Sequence, residues 1–324
     1  MSEAGVTRDA SGRGDHLLRA TSPARNGRTR ALGLILLVSV TAAVIGYRDQ
    51  IWTWYTHRKG APAVTAVYEA LPASPPPLLR LAVAGDTGEV NDALDETTEA
   101  MESIGESSPY DALLLLGDNV YPDGDPGQVQ EHVFDPFAGI IDQGASLLAV
   151  LGNHDVRSGH GDAQMSALGM SGRWWSRDLG EVLIVGLDSN TPDDAAQLAF
   201  LEESLASSDE EWKIVALHHP PYSAGMHGSS EEVRHAFAPL FERYGVQLVL
   251  SGHDHDYQRS EPIAGVTYVV SGGGSRTRLT GEEGFTAESW SANHFLDVTV
   301  FDDSLVLRAV MGDGRVADVA MVVP

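Results

Sequence analysis

The stretch DALLLLGDNVYPDG, residues 111 to 124, holds four consecutive leucines and then breaks at Gly117. Leu113 to Leu116 have the pattern of a strand buried on both faces, as in a parallel sheet covered by helices. Gly117 and Asp118 supply ordinary turn chemistry at its end. Taken singly, this is a strand-to-helix loop of an open α/β sheet. Asp118, Asn119 and Tyr121, which follow the break, gain meaning only if the same event recurs along the chain.

It recurs. LRLAVAG ends at Gly85, SLLAVLG at Gly152, VLIVGLD at Asp188, WKIVALH at His218 and VQLVLSG at Gly252. Between these runs lie segments of helical length and mixed polarity, at 91–104, 128–141, 194–207 and 230–244. The first opens on Asn91 with acidic residues early, as helix N-termini prefer. Strand alternating with helix predicts βαβ units in an α/β fold. After Gly252 the rhythm changes. GVTYVVSGGG, HFLDVTVFDDSLVLRAV and RVADVAMVV read as antiparallel strands, expected to form a second sheet.

Composition narrows the function classes. The chain has 324 residues, 43% hydrophobic, enough for a large core. It has no cysteine, so disulfides, thiolate metal sites and cysteine nucleophiles are excluded. The formal net charge of -25 divides unevenly: residues 1–60 carry +5 and the remainder -30. A body that acidic repels nucleic-acid backbones, which argues against a nucleic-acid partner. A small anionic substrate would need concentrated local positive charge, and bound metal ions are one source of it.

The N-terminal quarter reads as an address. Residues 1–30 are polar, rich in Gly and Ser and dotted with Arg, the composition of a disordered cytoplasmic arm. Ala31 to Tyr47 contain no charge, between Arg30 and Arg48. This run suits a transmembrane anchor over 31–48, which needs roughly 17 to 25 apolar residues, or a cleaved signal, whose apolar core is about 7 to 15. The arginine bias before it favours a cytoplasmic N-terminus and a domain outside the cytoplasm. Trp52, Trp54 and Tyr55 resemble an interfacial belt, and the Pro- and Ala-rich remainder of 49–79 reads as a tether to a domain over 80–324.

The polar residues of interest all follow strand ends: Asp86; Asp118 and Tyr121; Asn153, His154 and Asp155; His218 and His219; His253 and His255. Each alone is an ordinary turn or strand-end residue. In an open α/β sheet, however, loops at the carboxyl ends of strands converge on one crevice. Carboxylate and amide oxygens with imidazole nitrogens suit Zn, Fe or Mn. The glycines at 85, 117, 152 and 252 permit tight turns there. His253 and His255 either project together from an extended backbone or, in a kinked loop, reach two neighbouring ions.

The series GDTG, GDNVY, GNHD, VALHHP and GHDHDYQRS resembles the metallophosphoesterase, or calcineurin-like phosphoesterase, superfamily, and within it the purple acid phosphatase branch. Gly88 stands where many other branches have a metal-ligating His, and Tyr121 stands where this branch supplies a phenolate to iron. The resemblance covers about residues 80 to 324. It implies a four-layer α/β/β/α sandwich of two mixed sheets and a site of two metal ions. Asp86, Tyr121 and His255 would hold Fe(III); Asn153, His218 and His253 would hold Fe(II), Zn or Mn; Asp118 would bridge them. His154 would protonate the leaving oxygen, assisted by Asp155, and His227 would contact substrate. His219 rivals His218, but the V-x-x-H spacing from Val215 favours His218. The implied reaction is hydrolysis of phosphate monoesters by a metal-bound hydroxide. Alternatives are a phosphodiesterase or pyrophosphate hydrolase on the same core, or a membrane-tethered binding module without turnover. SGGGSRTR, residues 271–278, is either a phosphate cradle or a flexible glycine turn.

Overall fold

The computed structural model describes residues 59–63, 65–69 and 76–324. The expected arm and membrane segment lie outside the described residues. Among those described, two seven-stranded mixed sheets are present. The first comprises β1 (Ala66–Val67), β2 (Leu79–Ala84), β3 (Ala112–Leu115), β4 (Ser146–Ala149), β12 (His294–Val300), β13 (Leu305–Met311) and β14 (Arg315–Val322), in the spatial order β1-β14-β13-β12-β2-β3-β4. The second comprises β5 (Trp175–Leu179), β6 (Val182–Gly186), β7 (Trp212–Ala216), β8 (Leu248–Ser251), β9 (Tyr257–Ser260), β10 (Thr267–Ser271) and β11 (Thr286–Trp290), in the order β11-β9-β10-β8-β7-β6-β5.

The leucine run behaves as its sequence predicts. β3 pairs in parallel with β2 on one side and β4 on the other, and all its residues are buried. In the second sheet β6, β7, β8 and β10 are parallel neighbours. The two periods of a strand send alternate residues to different cores. Ile184, Ile214 and Leu248 join Leu81, Leu114 and Val298 between the sheets. Leu183, Val215 and Val249 instead meet Leu201, Leu205, Phe237 and Phe241 of α3 (Ala195–Ser207) and α4 (Glu231–Arg243). The helix α1 (Asp92–Ser107) buries Leu94, Met101 and Ile104 in the same core as the first sheet. The layers are helix, sheet, sheet, helix. Two tryptophans of the second sheet pin the stack: Trp175 donates to the Ala149 carbonyl at 2.8 Å and Trp212 to the Phe301 carbonyl at 3.0 Å.

Helix starts follow local chemistry. Asn91 accepts from the amides of Ala93 and Leu94, Asp194 from those of Ala196 and Gln197, and Ser230 from that of Val233. Each such cap contributes about 1 kcal/mol.

Three expectations need correction. The C-terminal strands do not make the second sheet. β12 pairs antiparallel with β2, from Leu296 opposite Val83 to Val300 opposite Leu79, so β12 to β14 extend the first sheet, while β10 enters the second beside β8. Strand patterning reports burial, not which distant edge a strand will join. Second, the helix expected over 128–141 is broken into a short 3-10 turn at Pro126–Gln128, a wide turn at Gln130–Phe134 and α2 (Ala138–Asp142). Pro136 lacks the N–H that a continuous helix requires there. Third, β5, β9 and β11 were not predicted as strands; their sequences WSRDL, YQRS and TAESW are polar, and β5 and β11 are sheet edges.

The described part of the tether packs on the domain. β1 pairs with β14, and the Tyr68 hydroxyl donates to Asp297 at 2.7 Å. Asp297, fully buried, also accepts from Arg80 at 2.9 Å and Arg308 at 2.6 Å.

Candidate metal centre

The carboxyl ends of β2, β3 and β4 and of β7, β8 and β10 open onto one crevice between the sheets. Asp86 follows β2, Asp118 and Tyr121 follow β3, and Asn153 and His154 follow β4. His218 and His219 follow β7; His253 and His255 follow β8. Asp86, Asp118 and His253 carry positive φ angles of 56°, 52° and 71°. A left-handed backbone at a residue with a side chain costs about 1–3 kcal/mol and is held only where the surroundings demand it. Of the four glycines singled out as turn formers, only Gly117, with φ 89°, is in that region. Gly152 is glycine for another reason: a Cβ would collide with the amide nitrogen and carboxylate of Asp118.

The side chains separate into two groups with one residue between them. In the first, the Tyr121 hydroxyl lies 3.3 Å from Asp86 Oδ1, 3.2 Å from Asp118 Oδ2 and 3.3 Å from His255 Nε2. His255 Nε2 is 3.3 Å from Asp86 Oδ1. In the second, Asn153 Oδ1 lies 3.2 Å from His218 Nε2 and 3.0 Å from His253 Nδ1. The other oxygen of Asp118, Oδ1, is 3.5 Å from His218 Nε2. Asp86, Asp118 and His218 fall within one cluster of ligand atoms 4.8 Å across, and so do His218, His219 and His253. The loop after β8 is kinked at His253, so its two histidines serve different groups.

The other atoms of these residues are held by the chain. His218 Nδ1 donates to the Leu116 carbonyl at 2.8 Å, which leaves Nε2 free to ligate. Asp86 Oδ2 accepts from the His253 amide at 2.7 Å, and Asp118 Oδ1 from the His154 amide at 2.8 Å. Burial opposes ionisation of Asp86, but the hydrogen bond and charge of His255 outweigh it and hold the carboxyl below its ordinary value; the same pair raises His255. Burial, followed by the charges of Asp86 and Asp118, drives the Tyr121 phenol far above its ordinary range. Burial and then His218 depress His253 and bring His219 down to about 4.

These residues fit metal ions. Oxygens of two carboxylates and a phenol and an imidazole nitrogen converge about 3 Å from one another. Ligands about 2.0–2.2 Å from one ion take roughly that spacing.

His154 lies edge-on to Tyr121, ring centroids 4.7 Å apart, with Nδ1 2.7 Å from the Pro122 carbonyl. His227 is also at the mouth. It stacks on His253 at 4.4 Å, and its Nε2 accepts from Arg278 at 2.8 Å. Asp155 has a different place from the one expected. It is fully buried, and its oxygens accept from the amides of Asn119, Val120 and Gly152 and from the side chains of Asn119 and Gln164. Burial and then Asp118 push it up to about 7. Both oxygens are occupied by these donors, and through them Asp155 braces the loops after β3 and β4.

Sequence reading passed over two supports. Ser189 follows β6, and its hydroxyl accepts from the His218 and His219 amides and meets His219 Nδ1 at 2.9 Å. Asp254 accepts from Ser223 at 2.5 Å and from the His227 amide at 2.8 Å. The signal for Ser189 was present, since it follows a buried strand like the others.

Residues 79–257 match the profile of the Calcineurin-like phosphoesterase family. The chain belongs to that family. Its relatives place it in the purple acid phosphatase branch. It is 30% identical to tartrate-resistant acid phosphatase type 5 of Mus musculus over 243 residues, 62% of this chain and 74% of the mouse protein. Over 229 residues it is 31% identical to purple acid phosphatase 17 of Arabidopsis thaliana, 59% of this chain and 66% of that one. In fold it resembles the purple acid phosphatase PPD1 of yellow lupin, with a TM-score of 0.68 at 20% identity, over 76% of this chain and 53% of the lupin chain. This phosphoesterase is a phosphoester hydrolase by family, and the strand-end motifs of its sequence form the crevice described above.

Proposed function

We propose that the chain hydrolyses phosphate monoesters at a pair of metal ions. The observation that carries this reading is the orientation of Asp118: one oxygen is turned to Tyr121 and the other to His218. One carboxylate with two oxygens can join two cations. On this reading Asp86, Tyr121 and His255 hold one ion, with Fe(III) favoured beside the phenolate. Asn153, His218 and His253 hold the other, Fe(II), Zn or Mn. When bound, two such ions acidify water and clamp phosphoryl oxygens during in-line displacement.

The chain's own residues do the rest. The Pro122 carbonyl orients His154 through Nδ1, which leaves Nε2 as the atom that would carry a proton to the leaving oxygen. His227, with Nε2 accepting from Arg278, carries its proton on Nδ1 and can donate to a phosphoryl oxygen. Burial and the charges of Asp86 and Asp118 push the Tyr121 phenol up, and a trivalent ion held there would offset that drive.

The test pairs metal analysis with turnover of phenyl phosphate and bis-phenyl phosphate. Two metal equivalents and preference for the monoester are expected. Metal without turnover of either ester, or preference for the diester, overturns the reading.

The same reading places the domain outside the cytoplasm, tethered through residues 31–48. No helix among the described residues is long and apolar enough to cross a membrane, and 31–48 lie outside them. The acidic, cysteine-free body after an uncharged run supports this placement. Carbonate extraction of membranes from cells making the full chain tests it: retention in the pellet is expected, and release overturns the anchor.

A further inference from the structure

The loop after β10, Ser271 to Arg278, is built into the centre. Gly274 N donates to the Gly85 carbonyl at 3.1 Å, and the Ser275 hydroxyl to the Asp86 carbonyl at 2.5 Å. Thr97 and Asn91 of the α1 end bond to the carbonyls of Gly274 and Ser275 at 3.0 and 3.1 Å. Arg278 N donates to the His255 carbonyl at 2.7 Å. A Cβ at Gly272 would meet Asp86 Oδ2 at 2.6 Å. The loop is therefore clamped between the backbones of two candidate ligands, and its glycines serve close packing, not flexibility.

That clamp delivers two guanidinium groups to the rim. Arg276 Cζ stands 5.0 Å from the centroid of the Tyr121 ring and pairs with Glu89. Arg278 Nη1 donates to His227 Nε2. Residues 61–324 contain 12 Lys and Arg against 42 Asp and Glu, so two arginines on one short loop at the mouth run against the charge of the whole domain. The Glu89 pair is solvent-exposed, with 45% and 36% of the two side chains accessible. Exposed pairs of this kind hold weakly, whereas a guanidinium binds phosphate or carboxylate through two parallel bonds.

We propose that Arg276 and Arg278 make this enzyme select phosphate esters that carry a second anionic group, phosphate or carboxylate, beside the ester that is cleaved. The inference rests on the proposed monoesterase reading for its scissile group. Arg276 is the primary contact. Arg278, shared with His227, adds positive charge at the same mouth.

The field of the domain sets the sign of the test. A second negative charge on a substrate is repelled by a body of this net charge, so a lower KM on adding it reports local cations. Phenyl phosphate, 4-carboxyphenyl phosphate and 1,4-phenylene bisphosphate form a series with one ring and one ester geometry. The wild-type protein is expected to show kcat/KM about tenfold higher for the bis-anionic members, most of it in KM, as one charge-assisted contact supplies. The two arms distinguish carboxylate from phosphate. Arg276→Gln should bring the ratio close to one, Arg276→Lys should restore part of it, and Glu89→Gln should raise it. Calorimetric binding of the same compounds gives a second readout independent of turnover. Preferential binding that Arg276→Gln abolishes sustains the inference even if no ester is hydrolysed, which would sink only the monoesterase reading. Equal binding and equal kcat/KM across the series, or a ratio unmoved by both Arg276 and Glu89 variants, overturns it.

Discussion

The two sheets contribute different chemistry to one crevice. Every oxygen donor of the candidate centre, Asp86, Asp118, Tyr121 and Asn153, stands on a loop of the first sheet. Every imidazole, His218, His253 and His255, stands on a loop of the second. Neither half is a site alone. The oxygen half by itself collects buried negative charge, as the upward drive on Tyr121 reports. The imidazole half collects nitrogen donors, of which His253 is held below its ordinary value by burial and then by neighbouring His218. Packing the sheets brings oxygen and nitrogen donors together, and the combination is what a cation needs. The centre is therefore a property of the seam between the sheets.

The strongest way to break that comparison is to remove the residue that faces both groups. Asp118→Ala is expected to lower kcat/KM for phenyl phosphate by about 1,000-fold or more, with loss of most bound metal by elemental analysis. Retained metal with lost turnover would assign Asp118 to one half only.

Single-half variants sharpen it. Asp86→Ala and His253→Ala should each leave about one metal equivalent of two per chain, with activity down about 100-fold. If both variants lose both ions, the halves do not bind separately. Tyr121→Phe takes one oxygen donor from the first half. A visible absorption band of the iron-loaded wild type should vanish, with activity down about tenfold; a band that survives excludes the phenolate from the coloured site.

Asp155 tests what holds the oxygen half in place. Asp155→Ala leaves the amides of Asn119, Val120 and Gly152 without their buried acceptor. Urea unfolding should show a loss of about 3 kcal/mol, by the cost of breaking a buried charged network.

The smallest expected effect lies in the seam itself. His294 of β12 meets the Ser271 hydroxyl of β10 at 3.1 Å, and burial brings its pKa down from 6.5 to about 4. The unfolded chain then binds a proton that the folded chain refuses. Stability is full above about pH 6.5 and falls as pH drops toward 4. Melting temperatures at pH 7 and pH 5 should differ less for His294→Gln than for the wild type. An equal difference assigns the acid sensitivity elsewhere.

Much of the architecture was legible because it is written locally. The leucine run of β3, the caps at Asn91, Asp194 and Ser230, and the ligand-type residues after successive buried runs need only neighbouring residues to be recognised. The wide turn at Gln130–Phe134 and the polar strands β9 and β11 were missed because Pro136 and sheet pairing outweigh local propensity there.

Residue order alone established which side chains close each strand and that they form a ligand set for hard or borderline metals. Folding decided which belong together. Side-chain periodicity tells that β12 is buried, but its partner β2 lies some 200 positions away and is chosen by the open edge left in the first sheet. It was likewise the kink at His253, and not the spacing of two histidines, that sent His253 and His255 to different groups. Asp155 shows the same limit: adjacency to His154 suggested shared chemistry, whereas loop amides drawn from two strand ends claimed its carboxylate. Contacts of that range depend on how the sheets stack, and no local pattern carries that information.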